Sequence, residues 1–473
     1  MTDMRTAYRR RLRRARSRGV ALVIVLGSLA ILAVMLTEFQ DETSADLGHA
    51  LAERDAVRAE YAAKSAVNLS RLLIAAEPTI RNAVAMLVGG AQIPVWEFAD
   101  QVLGAFNDKA GQALFRSLGG FDLSEGKSLG MEGAGFEVVI IDEDSKINLN
   151  AAARNNAYGE QRLVTQLMGL MSGPQFNPLF EERDREGNFH TRQQVCAAII
   201  DWTDWNFDAA ACDLSGHRVD TGAEDSYYQM LADPYKRKNA AFDSLQELHL
   251  VRGVTDDFWA SLIEPKPWDP HSRVVTVWGQ DKVNVNTANA QTLLAVVCGN
   301  VADPQLVPLC STAEEQMKFL SVIGLVRAMT AGIPLFRSAK GFQQEIEGNG
   351  PMMKMLMEVL QMEPIVGLRG DQLVNAVTTE SKVFSIYATG IVTAGKRRTI
   401  RRIHSVVDFR SAPAPVDPFQ GIEDPSRLSL EEARQRQMST GPEPELPEGA
   451  TEEALANAFR PDPAGRVIYY RVE

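Results

Sequence analysis

Gly19-Val-Ala-Leu-Val-Ile-Val-Leu-Gly-Ser-Leu-Ala-Ile-Leu-Ala-Val-Met-Leu36 is the stretch that decides the fold. Its last 17 residues carry no charge. As a helix they span about 25 Å, at the short end of what crosses a bilayer. Residues 1–19 hold eight Arg and one Asp, a net +7, and residues 38–55 are acidic. That asymmetry puts the N-terminus in the cytoplasm and everything after Leu36 outside. A cleaved signal peptide needs a small-x-small site after the apolar run. Thr37-Glu-Phe-Gln-Asp-Glu-Thr-Ser-Ala45 is polar and acidic instead, so the helix is expected to stay on the protein.

The helix is expected to continue beyond the membrane. Residues 37–77 contain no Pro, only one Gly (Gly48), and many Ala, Leu, Glu and Arg. Glu60 and Lys64 are an i,i+4 pair in the favourable order. Val57, Tyr61, Leu69, Leu72, Leu73 and Ala76 form a helical-period apolar stripe, and Pro78 is the expected stop. The result is one helix of over 50 residues, half membrane and half amphipathic.

β-branched runs follow in two groups. Gly135-Phe-Glu-Val-Val-Ile-Ile-Asp142 and Lys146-Ile-Asn-Leu-Asn150 read as strands with residues 142–145 as the turn. Residues 381–408 read as a hairpin turning at Ala394-Gly395-Lys396. About 230 mostly helical residues separate the groups. A single sheet interrupted by a helical insertion is the economical reading, with separate domains as the alternative. Within the insertion, Lys146-Ile-Asn-Leu-Asn150 is echoed by Lys282-Val-Asn-Val-Asn286, each ahead of an Ala-rich helix for which the final Asn is a candidate N-cap. Phe242-Asp-Ser244 and Phe336-Arg-Ser338 follow the two copies, so two related helical subdomains are expected. The divisions are 1–19 leader, 20–36 membrane helix, 37–150 helix continuation and first strands, 151–280 and 281–380 the two subdomains, 381–410 last strands, and 411–473 tail.

The whole 473-residue chain is charged −12, so residues 20–473 carry −19. A basic tip on an acidic body is not the footprint of a nucleic-acid binder. Leu248-His-Leu-Val-Arg-Gly-Val-Thr255 looks like part of a helix–hairpin–helix, as in membrane-anchored DNA receptors, but Asp256 and Asp257 follow at once. No G-x-S-x-G, H-E-x-x-H or phosphate-loop motif occurs and the six His are dispersed, so nothing points to catalysis. Cys196, Cys212, Cys298 and Cys310 contain no C-x-x-C. Two disulfides are expected in an oxidising compartment, the short-range pairing being one of three connectivities, and free thiols are the alternative. The tail holds nine of 22 Pro and reads as a disordered extension, with residues 428–435 a candidate helix and Arg466-Val-Ile-Tyr-Tyr-Arg-Val472 a strand able to add to a sheet edge.

Asp201-Trp-Thr-Asp204-Trp-Asn206-Phe-Asp208 is followed by Asp213, Asp220 and Gly222-Ala-Glu-Asp225-Ser-Tyr-Tyr228. Carboxylates and an amide at this density suit Ca²⁺, which takes six to eight oxygen ligands. The two neighbouring His do not make a zinc site, and no EF-hand register fits. A solvated acidic loop is the alternative.

The basic leader ending at Gly19 before the apolar helix resembles the class III signal of type IV pilins and type II secretion pseudopilins. In that superfamily a prepilin peptidase cuts after the Gly, here between Gly19 and Val20. The fifth mature position, usually Glu, is Ile24. Its absence, together with Asp-Trp-x-Asp, Gly-Ala-Glu-Asp-x-Tyr-Tyr, Lys-Ile-Asn-Leu-Asn and Ser244-Leu-Gln-Glu-Leu, is similar to the GspK (general secretion pathway protein K) family of minor pseudopilins over residues 19–410. The resemblance implies an α+β pilin-like fold: a long N-terminal helix on an antiparallel sheet, with a large all-α insertion. It implies a non-enzymatic filament-tip subunit anchored once in the inner membrane with its bulk periplasmic. Val20, Ile24, Leu26, Leu32 and Leu36 would face the helices of other minor pseudopilins. Further expected partners are the prepilin peptidase, the inner-membrane assembly platform, and the outer-membrane secretin or cargo. One or two Ca²⁺ would be held by Asp201, Asp204, Asn206, Asp208, Glu224 and Asp225, with a 196–212 disulfide bracing that loop. A minor pilin of a type IV pilus and a competence-type DNA receptor are the competing readings.

Overall fold

A computed structural model describes residues 2–87, 94–107, 133–154, 156–184, 187–206, 210, 212, 226–330, 334–350, 353–354, 358–359, 361–363, 365–412 and 462–473. Helix α1 runs from Thr2 to Leu87 with Pro78 inside it, so Pro78 does not end the helix as expected. Proline removes one helical hydrogen bond and crowds the preceding turn, a cost that flanking helix formers and packing can absorb.

The apolar stripe read from periodicity packs only in part: Leu73 is buried and Leu69 lies against the core. Val57, Tyr61 and Leu72 are exposed, whereas Ala56, Ala59, Ala62, Ala63, Ala66, Val67, Leu73 and Ile74 are buried. The reason lies in the sheet. A side chain at Gly390 would collide with the Ala59 carbonyl and the Ala63 amide, so helix and strand approach to backbone distance. Only small residues fit such an interface, and they form the packing surface despite their modest hydrophobicity.

The sheet has the order β1 (Ala134–Asp142), β6 (Val383–Ala394), β7 (Arg397–Asp408), β8 (Arg466–Val472), every neighbour antiparallel. Gly395 (φ +63°) and Lys396 form the two-residue β6–β7 turn at the expected place, glycine supplying the positive φ such turns require. Asp55 on α1, 1% exposed, pairs with Arg397 at 2.6 Å near that turn. At the other end of the sheet Trp96 packs edge-on against Phe384, beside Leu73 and Ile74.

The chain between β1 and β6 is the insertion, with a hydrophobic core of its own running from Ile147 to Val377. Asp142 and Phe384 are direct cross-strand partners, so both its ends join the sheet at one point. Residues 142–145 are a 3-10 corner rather than a hairpin turn, because the next strand leaves the sheet. β2 (Ile147–Asn148) pairs in parallel with β3 (Val275–Thr276), and β4 (Val283–Asn284) pairs in parallel with β5 (Val377–Thr378). These short ladders add to a mainly helical body.

The echoed motif marks a true structural repeat. Asn150 donates to the Phe242 carbonyl (3.0 Å) and accepts from the Phe242 amide (2.7 Å). Asn286 does the same with Phe336, at 2.9 Å both ways. Contrary to the sequence expectation, neither Asn is the N-cap of the helix that follows. The N-caps are Asn156 for α2 (Ala157–Met171) and Asn289 for α4 (Ala290–Gly299). α2 and α4 cross through a reciprocal glycine contact: Gly169 lies against the Ala295 carbonyl and Gly299 against the Thr165 carbonyl, with no room for a Cβ at either.

Candidate functional site

The acidic site begins on α3 (Arg192–Thr203), which opens with a capping box between Thr191 and Gln194. Its last turn buries Asp201, and Asp204 follows as the extended C-cap, also buried. The Asp201 carboxylate accepts from the Ala210 amide at 2.7 Å. Asn206 donates to Asp204 at 2.6 Å. Arg237, its side chain 2% exposed, donates to the carbonyls of Asp201 (2.7 Å) and Asn206 (2.9 Å) and lies 3.6 Å from Asp204. Burial pushes Asp201 up to about 7, the Ala210 amide opposes this, and the Asp204 charge adds to it.

Two buried carboxylates and an amide are hard oxygen donors, the chemistry a calcium ion selects. Arg237 lies against both acidic groups and offsets part of their charge. Asp208, Glu224 and Asp225, the rest of the expected ligand set, lie outside the described residues, as do Asp213, Asp220 and the candidate helix 428–435.

The aromatic residues of the same motifs hold the loop in place. Trp202 packs against Tyr228 (5.8 Å), Tyr235 (6.3 Å) and Phe242 (6.5 Å), so the Asp-Trp-x-Asp and Tyr-Tyr pieces meet in one cluster. Cys196 is bonded to Cys212 and Cys298 to Cys310. The first bond closes α3 onto the acidic loop and the second ties α4 to the segment before α5 (Ala313–Thr330). Arg237 was not singled out in the sequence. A lone Arg inside an acidic neighbourhood carries no spacing signal; only the fold brings it beneath Asp201 and Asp204.

The remaining predicted residues lie on α1. Gly19 and Val20 are within the continuous helix, and Val20, Ile24, Leu26, Leu32 and Leu36 are all exposed. Val20–Pro78 is the one helix, among the described residues, long and apolar enough to cross a membrane. The Leu248–Thr255 segment is a tight connection in which Gly253 takes φ +78° and Thr255 caps a short helix opening with Asp256 and Asp257. His249 stacks on Trp259 at 4.3 Å.

Three consecutive acidic side chains fasten the insertion. Asp142 accepts from the hydroxyls of Thr287 and Ser381. Glu143 accepts from Lys146 (2.9 Å) and Thr276. Asp144 accepts from the amides of Gln280 (2.7 Å) and Lys382 (2.6 Å). Burial raises Asp142, and the neighbouring Asp144 charge raises it further.

Residues 145–265 match the family model described as Type II secretion system (T2SS), protein K. That segment carries Asp201, Trp202, Asp204, the Tyr-Tyr pair and Ser244, the residues on which the resemblance to the GspK family was read. Among solved structures, the chain is similar to the GspK-GspI-GspJ complex of the enterotoxigenic Escherichia coli type 2 secretion system. Identity is 14% and the TM-score 0.35, over 59% of this chain and 76% of that chain. The search of curated proteins found no match.

Proposed function

We infer that this chain, whose residues 145–265 match the type II secretion protein K family model and which carries a helix of membrane-spanning length, is a minor pseudopilin at the tip of a short periplasmic filament. The observation that carries the tip assignment is the placement of the insertion. It joins the sheet beside Trp96 and Ile74, while the opposite end of the sheet, at Arg397, lies beside Asp55, nearer the apolar segment. A body of that bulk at the far end favours a subunit with nothing stacked above it. The role is structural, with no catalytic step.

The prepilin peptidase would cut between Gly19 and Val20. Val20, Ile24, Leu26, Leu32 and Leu36 would pack against the helices of other minor pseudopilins, in contact with the inner-membrane assembly platform. The secretin or the cargo would meet the insertion. Calcium would be held by Asp201, Asp204 and Asn206 together with Asp208, Glu224 and Asp225, stabilising the folded loops because it binds only them.

Intact mass of the protein from cells expressing a prepilin peptidase tests the assignment. A mature chain beginning at Val20 is expected, and any other N-terminus overturns it. For the metal, millimolar Ca²⁺ should raise the melting temperature relative to chelator. Asp204→Ala should remove the difference, and an equal response in the variant would count against the site.

A further inference from the structure

The last strand is attached to the sheet unlike the other three. β1, β6 and β7 each bury apolar side chains against α1 or the insertion: Phe136, Val138 and Ile140; Phe384, Ile386 and Ala388; Ile403, Val406 and Val407. In β8 not one residue is fully buried, and Val467, Tyr470 and Val472 are exposed. β8 is held by its ladder to β7, extended by the paired amides and carbonyls of Arg402 and Glu473 (2.8 and 3.0 Å). The ladder itself is broken by an irregularity at Val406/Val407.

Around that ladder stands a small receptor for the segment. Arg71 of α1, its side chain 17% exposed, makes three contacts with the turn ahead of β8: Asp462 at 2.6 Å, the Ala464 carbonyl at 3.1 Å and the Gly465 carbonyl at 2.7 Å. Gly465 takes φ +75° against Val407 and Phe409, where a Cβ would collide with both side chains. Tyr469 lies between Trp278 of the insertion (5.6 Å) and His404 of β7 (5.1 Å), and His404 stacks on Tyr387 (4.2 Å). The segment thus binds as a peptide ligand binds, through main-chain pairing, one cationic clamp and one aromatic slot. Its tether, residues 413–461, is 49 residues long.

We propose that residues 462–472 are a detachable strap, and that the edge of β7 it covers is a strand-exchange site for the same segment of a second copy of this chain. Lifting the segment takes no fully buried side chain out of the helix–sheet core and uncovers only its margin at Val407 and Phe409. It also uncovers a row of unpaired main-chain groups on β7, which demand a partner strand. The segment that matches the Arg71 clamp, the Gly465 turn and the Tyr469 slot is by construction this one. A neighbouring copy therefore fits as well as the chain's own tail, and the exchange adds no new kind of contact. In the isolated chain the covalent connection favours the chain's own strap over that of another copy. At high local concentration of the protein, exchange competes.

The test uses the full chain in detergent micelles. Ser405 and Tyr470 are direct cross-strand partners, so Ser405→Cys with Tyr470→Cys reports which chain's strap occupies the edge. In this background the new disulfide should be intrachain in dilute protein and shift towards interchain links as concentration rises. Arg71→Ala should bring that shift to lower concentration and expose the amides of β7 to hydrogen exchange. Gly465→Ala, which disturbs only the strap, should act the same way if Arg71→Ala perturbs α1. Intrachain linkage alone at every concentration in both variants overturns the proposal. So does a released strap, seen as deprotected β7 amides, that forms no interchain link.

Discussion

At the scale of single residues, the fold rests on contacts that tolerate no extra atom. Gly390 faces the α1 backbone at Ala59 and Ala63, so Gly390→Val forces helix and sheet apart. Over-packing of this kind costs about 1–3 kcal/mol, and the denaturant midpoint should fall accordingly while the insertion stays folded. His404 sets a second, pH-dependent sensitivity. Burial pushes it down to about 4, the Glu143 charge partly opposing this and Arg273 adding to it. Its folded pKa lies below its unfolded value, so the neutral ring's contribution is fully present above about pH 6.5. Between there and pH 4 the unfolded chain takes up a proton that the folded one refuses, and stability is lost as pH falls, on the order of 2–3 kcal/mol. Comparing denaturant midpoints at pH 7 and pH 4 for the native chain and His404→Phe checks this. The variant should lose less, and an identical loss would remove His404 from the account.

At the scale of elements, legibility in the sequence followed how local the physics was. The apolar run 20–36, the Gly395-Lys396 hairpin and the repeated Lys-x-Asn-x-Asn strand could all be read, because each pattern carries its own conformational cause. The helical stripe of Val57, Tyr61 and Leu72 misled: large apolar residues at helical spacing usually mark the buried face. Here Gly390, some 330 positions away, selects alanine instead. The acidic pair Asp201 and Asp204 was legible as a cluster, but Arg237 beneath it was not, nor was the 142–144 corner, whose partners arrive from Thr276, Gln280, Thr287 and Ser381. The repeat makes a prediction of its own. Asn150→Ala and Asn286→Ala each strip the backbone clamp from one copy, costing about 1–3 kcal/mol as main-chain groups lose their partner. Hydrogen exchange should quicken at the Phe242 amide in the first variant and at the Phe336 amide in the second; uniform quickening in both would mean the copies are not separate units. Each disulfide closes a short loop, 16 residues for one and 12 for the other. Replacing Cys298 and Cys310 together by Ser should lower the stability of the insertion by about 3 kcal/mol, measurable by thermal melting of the variant against the native chain.

At the scale of the whole molecule, the insertion has a core of its own, and both its chain ends join the sheet where Asp142 faces Phe384 and Asp144 accepts the Lys382 amide, with Trp278 against Tyr469 as a side contact. Replacing residues 145–380 with a short glycine-containing turn should therefore leave α1 and the sheet folded, with β6 and β7 amides still protected from hydrogen exchange. Loss of that protection would mean that the sheet depends on the insertion. This attachment also decides how the protein carries mechanical force. A pull along α1 passes through the alanine face and the Asp55–Arg397 pair into the sheet. The two ends of the insertion leave from adjacent strands, so no tension runs through the chain between them. The insertion rides on the load path without being part of it, and thrust or drag on the helix leaves the acidic loops and their disulfide unstretched.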